Sequence, residues 1–402
     1  MKTIVSLGLG LFAPIACAFA QDAPVSYYSP ELLQVKKMFA DMEAEALGHP
    51  FVGVGTGNGI ESGLFPVRAT GVSTEPIRLA AAEFLATFTP EQRLRARYAI
   101  DDVAWRRWSN VDNAIYVRSG VSLKEMSKQQ RKAAIRIMRA SLSVRGFELT
   151  EAIRKTDQTL REINNDILSF DEDLYYFKIF GAPSASEPWG WQMQGHHLVI
   201  NYFILGDQVV MTPTFLGAEP AIARTGKYKG NAVLQEEQEM GLAFMQSLNA
   251  EQQTAATLDT RKPADSIKAQ ANRDNLVLDY AGVRAASFSD EQRSVFLDLI
   301  ERFIGNMEAG HSAVKLAEIA EHMDNTWFAW VGPVDDDAVF YYRIHSPVVL
   351  IEFDHQVPIG TKSINPEGVP TRDHVHVIIR TPNGNDYGKD LLGQHLTEHH
   401  HQ

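Results

Sequence analysis

The sequence predicts an α+β fold in which antiparallel β meanders pack against capped α-helices. Three observations lead there. Four segments carry one helix-start signature, the β-rich stretches gather in two clusters, and the order is helices, sheet, helices, sheet. That segregation argues against the strict alternation of an α/β fold.

The helix starts are Thr89-Pro90-Glu91-Gln92, Ser127-Lys128-Gln129-Gln130, Asn249-Ala250-Glu251-Gln252 and Ser289-Asp290-Glu291-Gln292. Each opens on an N-cap residue and places glutamine three positions later, the pattern of a capping box. In the first, Pro90 also falls at the first helical position, where its missing N–H costs nothing. Apolar residues follow at helical spacing, as in Ile135, Met138 and Leu142, or Val295, Leu299 and Phe303. Two capped helices before residue 150 and two after 245 hint at a duplicated plan, with pseudo-repeats at about 60–220 and 230–395 inside one unit spanning 21–402.

In the first β cluster, His196 to Leu205 and Gln208 to Thr212 flank a Gly206-Asp207 turn, which reads as a hairpin. In the second, Trp327 to Val331, Val339 to His345, Val348 to Asp354 and His374 to Thr381 read as an antiparallel meander. Aromatic and β-branched residues dominate both.

The chain has 402 residues, 45% of them hydrophobic, enough to bury a sizeable core. Its formal net charge of −12 argues against a nucleic-acid backbone as partner, because phosphates need Lys and Arg to neutralise them. Residues 1–20 read as a signal peptide. Lys2 supplies the positive start, an apolar stretch runs from Ile4 towards Pro14, and Ala18-Phe19-Ala20 offers a cleavage site. The expected location is therefore periplasmic or secreted. Pro14 interrupts the apolar stretch, which is too short for a membrane span. Cys17 is the single cysteine and lies inside this segment, so the mature chain offers neither disulfide nor thiolate ligand. Any metal must be held by histidine or oxygen ligands.

Histidine placement carries the chemistry. In Asp373-His374-Val375-His376-Val377-Ile378-Ile379, alternation puts both imidazoles on one strand face and Val375, Val377 and Ile379 on the other. In the preceding strand, Val349, Ile351 and Phe353 form the apolar face, with Glu352 and Asp354 opposite. Antiparallel pairing of these strands would bring the carboxylates beside His374 and His376. Two or three imidazoles and a carboxylate make a first-row metal site, zinc first, iron or copper as alternatives. The expected ligands are His374, His376, Glu352 and His197. His197 is preferred over His196 because it shares its predicted face with Asn201. An H-x-H pair can equally face solvent or sit hydrogen-bonded in a polar layer. The role of His355 stays open. His399-His400-His401 reads as a frayed tail or the remnant of a tag.

The Gly53-to-Gly59 stretch departs from the G-x-G-x-x-G spacing and has no Gly-Lys-Ser/Thr after it, so it reads as a loop. Trp105 and Trp108 read as core. Arg68 could anchor an anion, and Trp189 and Trp191 with His196 could line a ligand pocket, although tryptophan in a strand is more often packing.

Several long motifs resemble the domain-of-unknown-function family numbered 3500. They are Trp189-Gly190-Trp191 with Gly195-His196-His197-Leu198, Gly206 through Phe215, Gly63 through Arg68 with Thr70 through Thr74, Tyr341-Tyr342-Arg343 with Ile351-Glu352-Phe353, and His374 through Gly388. The resemblance covers nearly all of the mature chain. It implies an often exported bacterial or fungal protein forming one family-wide unit, and carries no activity over.

The expected function is an exported metal-dependent enzyme, a hydrolase acting on a small molecule, with Asp354 as general base and Arg343 and Arg68 as substrate anchors. An iron or copper oxidoreductase and a non-catalytic small-ligand binding protein are the alternatives.

Overall fold

The computed structural model describes residues 29–399. The signal-peptide reading and the last residues of the histidine tail lie outside them. A leading helix, α1 (Pro30–Leu47), precedes two runs of elements in the same order. The first run is α2 (Glu75–Ala86), α3 (Pro90–Ala96), the short strands β1 (Arg97–Tyr98) and β2 (Val121–Ser122), α4 (Lys128–Ser141) and α5 (Val144–Asn164), followed by β3 (Tyr176–Phe180), β4 (Trp189–Gly195), β5 (Leu198–Leu205), β6 (Gln208–Val210) and β7 (Thr214–Ala218). The second is α6 (Gln235–Ser247), α7 (Ala250–Ala256), β8 (Thr257–Asp259), β9 (Val283–Arg284), α8 (Asp290–Ile304), α9 (Ala309–Glu321), β10 (Trp327–Val331), β11 (Tyr341–His345), β12 (Leu350–His355) and β13 (Val375–Arg380). Helix α10 (Lys389–His399) closes the described chain. No helix among the described residues is long and apolar enough to cross a membrane.

All four expected capping boxes are present with both reciprocal bonds. They also interlock. The amide of Gln130 donates to Gln92 Oε1 at 2.6 Å, and Gln252 and Gln292 exchange bonds of 3.0 and 2.9 Å. Each glutamine thus caps its own helix and clasps a neighbour. Gly120 and Gly282 mark matching points in the two runs. Their φ values are 112° and 96°, and a Cβ there would lie 2.5 and 2.1 Å from the carbonyl oxygens of Phe177 and Phe328. Only glycine tolerates both the backbone and the approach.

The two runs meet in one mixed sheet ordered β1-β3-β4-β5-β7-β13-β12-β11-β10-β8. Antiparallel pairing of β7 with β13 joins the halves at the centre. One sheet face is apolar and lies under helices. Phe177 meets Phe84 of α2, Phe328 meets Phe244 and Phe296 of α6 and α8, and the Tyr342 hydroxyl donates to Glu237 O.

The other face is polar yet buried, because irregular segments cover it rather than helices. Irregular backbone leaves N–H and C=O groups without ladder partners, and these must be satisfied. Lys178 donates to Ala104 O and Arg107 O, Gln192 to Trp105 O, and Gln194 to Arg107 O. In the second half, Glu352 and Asp354 accept the N–H groups of residues 266–269, and Arg380 donates to Ala269 O and Gln270 O.

Burial pushes the Lys178 amine down to about 7. The unfolded chain keeps that proton to about pH 10.4. Between these values the unfolded state binds more protons, so folding gains stability as pH rises. Stability of the native protein relative to Lys178→Met is expected to rise from pH ~7 to ~10. Urea unfolding at several pH values reads this, and a difference that stays constant contradicts it.

Candidate metal centre

His197, His374 and His376 come together at the centre of the sheet. Their Nε2 atoms are 3.1 Å apart for His374–His376, 3.1 Å for His376–His197 and 3.3 Å for His374–His197. The three side chains are buried, at 2%, 3% and 6% exposure for His197, His374 and His376. His376 stands in β13 and His374 just before it, as the H-x-H spacing predicts. Their partner arrives from the other half of the chain.

His196 and His197 are not strand residues, contrary to expectation. The strand starts at Leu198, which pairs with Gly195, so the two histidines are the centre of a two-residue turn. His197 adopts φ 58°, a left-handed conformation seldom taken by residues other than glycine, and its N–H donates to Asn110 O. That turn aims the ring across β7 towards β13. At Gly217 of β7 a Cβ would stand 3.2 Å from Cδ2 of both His197 and His376. The bare glycine leaves room for both rings. Sequence reading passed over Gly217, although a glycine inside a strand often marks close approach by another group. Gly217→Ala is expected to weaken metal binding roughly 10–100-fold, the range seen when a supporting group is lost. Metal titration of the folded variant measures it; unchanged affinity contradicts it.

The protonation states of the rings suit metal ligation. His374 Nδ1 lies 2.8 Å from Val357 O, which can only accept, so Nδ1 carries a proton and the neutral ring offers its lone pair from Nε2. Burial, with the surrounding imidazoles, holds His197 and His376 well below the usual histidine range. Neutral imidazoles are metal ligands. Glu219 approaches His374 Nδ1 to 3.6 Å and is itself fixed by the Thr361 N–H and hydroxyl. Ring packing orients the other two. His197 stacks on His196 with centroids 3.8 Å apart, and His376 meets the edge of Phe215 at 5.0 Å. The Nδ1 atoms of His197 and His376 are buried with no hydrogen-bond partner in the protein.

Metal–nitrogen bonds of ~2.1 Å space tetrahedral ligands roughly 3.4 Å apart and octahedral ones roughly 3.0 Å. The observed triangle falls between, and the three nitrogens could hold a metal ion.

The carboxylates go elsewhere. Asp354 pairs with His376 in register and Glu352 with Ile378, so both lie on the imidazole face. Glu352 nevertheless accepts from Lys268 N, Ala269 N and the Tyr341 hydroxyl, and lies outside the metal-competent group. Asp354 Oδ2 accepts from Ser266 N and Ile267 N while Oδ1 pairs with Lys262 Nζ at 3.0 Å, so the carboxylate is engaged by the covering segment and lies outside the metal-competent group. Burial raises its acid to about 6. Arg343 is buried and donates to Asp279 O, away from the imidazoles. Trp189 and Trp191 are fully buried in the apolar core, with Trp191 stacked on Tyr202, so they line no pocket. Arg68 is exposed beside a cavity that contains none of the three histidines. His355 receives Phe340 N–H at Nδ1 and contacts Gln238 Oε1 through Nε2, a packing role.

His196 serves the cluster from outside. Its Nδ1 is 2.6 Å from Asp157, which also receives the Tyr175 hydroxyl at 2.8 Å. Burial opposes protonation of His196, but Asp157 more than offsets it and raises the pKa. Asp157 falls on the buried stripe of α5 with Ile153, Thr156 and Leu160. An acid on an apolar stripe was the available signal for it.

No curated protein and no solved structure matches the chain. The family model described as a protein of unknown function (DUF3500) matches residues 70–389, most of the chain, and the protein belongs to that family.

Proposed function

We propose that the protein is an exported, metal-dependent enzyme whose centre is His197, His374 and His376, with hydrolysis of a small molecule as its chemistry. The convergence of three Nε2 atoms within 3.3 Å of one another supports this. Three protein ligands leave a coordination position for water or substrate, as in catalytic zinc sites. An ion held by His197, His374 and His376 would supply a lowered pKa for bound water and polarisation of a carbonyl or phosphoryl oxygen. The chain's own part is positional. Val357 O fixes the His374 tautomer, the Asp157–His196 pair braces His197 by stacking, and Gly217 admits both rings. Export rests on the signal-peptide features of residues 1–20.

One observation favours a second reading, a metal that only ties the two halves together: none of the three ligands is more than 6% exposed. Turnover separates the two. Metal-loaded protein is to be assayed on small esters, amides and phosphoesters beside chelated protein and His376→Ala. Hydrolysis lost in both controls supports the enzyme. Tight metal with no turnover on any class supports the tie.

A further inference from the structure

We propose that the cavity between α8, α9 and the β6 segment binds a small, largely apolar molecule carrying one hydroxyl group. The cavity encloses about 370 Å³, within the size range of small-molecule sites. Its walls include Phe65, Val210, Met211, Phe303, Met307 and Val314. It shares no residue with the histidine cluster, and its Ile379 wall belongs to the opposite face of β13 from His376.

The polar groups around it are mostly engaged. Lys315 Nζ donates to Val348 O and pairs with Glu318. The hydroxyls of Thr212 and Thr381 bond each other at 2.8 Å. Asp207 accepts the N–H groups of Thr70 and Gly71. His311 differs. It is 4% exposed, lines the cavity, and its Nε2 is buried with no partner. Burial lowers its pKa, which favours the neutral ring. A neutral imidazole nitrogen is either a donor or an acceptor, according to the tautomer. A hydroxyl answers both, since it can donate and accept. The apolar stretches of this mixed wall thus take an apolar body, and the one buried, unsatisfied nitrogen takes a hydroxyl. This inference is independent of the metal reading.

The test is calorimetric titration of the full chain with 4-propylphenol and with propylbenzene, which lacks the hydroxyl. The phenol is expected to bind at least about tenfold more tightly, the worth of one good hydrogen bond. His311→Leu should level the two affinities, and Val314→Trp, at a partly exposed helix position, should abolish both by filling the space. No binding by the native protein, equal affinity for both probes, a preference that survives His311→Leu, or binding retained in folded Val314→Trp would each overturn the proposal.

Discussion

Chelation is expected to lower the unfolding midpoint of the native protein by several degrees and to leave that of His376→Ala unchanged. An ion that binds only the folded state stabilises it by about 4 kcal/mol when its concentration is a thousandfold above Kd. The site should show this coupling strongly, because its ligands lie 177 residues apart in sequence and come from different halves of the chain. Unfolding must therefore dismantle the site. Loss of His376 takes one of three nitrogens and should weaken binding beyond the roughly 10–100-fold seen for supporting groups. Thermal unfolding with and without chelator measures both proteins. Equal shifts in the two would place the metal elsewhere.

Arg380→Met is expected to destabilise the fold by about 3–5 kcal/mol, the cost of stranding buried charges. Arg380 is fully buried, and its Nη1 donates to Asp274 and Asp386, both at 2.9 Å. Asp274 also accepts from Arg106 and the Tyr387 hydroxyl. The guanidinium thus pins the irregular 269–274 segment to the sheet. Methionine would fill much of the volume but leave two carboxylates buried beside each other. Arg78→Met is the contrast. Its pair with Glu75 is solvent-screened at the surface, so its loss should shift the urea midpoint far less. Urea midpoints of the two variants decide the point, and similar losses would contradict it.

These features differ in how far the sequence announces them. The helix starts are local, since cap and glutamine lie within one turn, and all four are readable from spacing alone. The H-x-H alternation is equally local. So is the polarity of β12, whose register does set Asp354 opposite His376. What spacing cannot convey is what lies on top. Segment 262–269 engages both carboxylates through backbone N–H groups and Lys262, and no sequence pattern ties that segment to β12. The His196-His197 turn lacks the Asn-Gly or Asp-Gly that usually marks such turns. It therefore reads as the head of the apolar strand that follows. Trp189 and Trp191 resemble a ligand platform until the register with Ile204 and Tyr202 puts them in the core.

The most direct test of the account is elemental analysis of purified protein truncated after Glu398, so that His399, His400 and His401 contribute no metal. Near one equivalent of zinc, iron or copper, lost in His374→Ala/His376→Ala, is the result predicted. No metal above background, even after reconstitution with each ion, would contradict the metal centre at His197, His374 and His376.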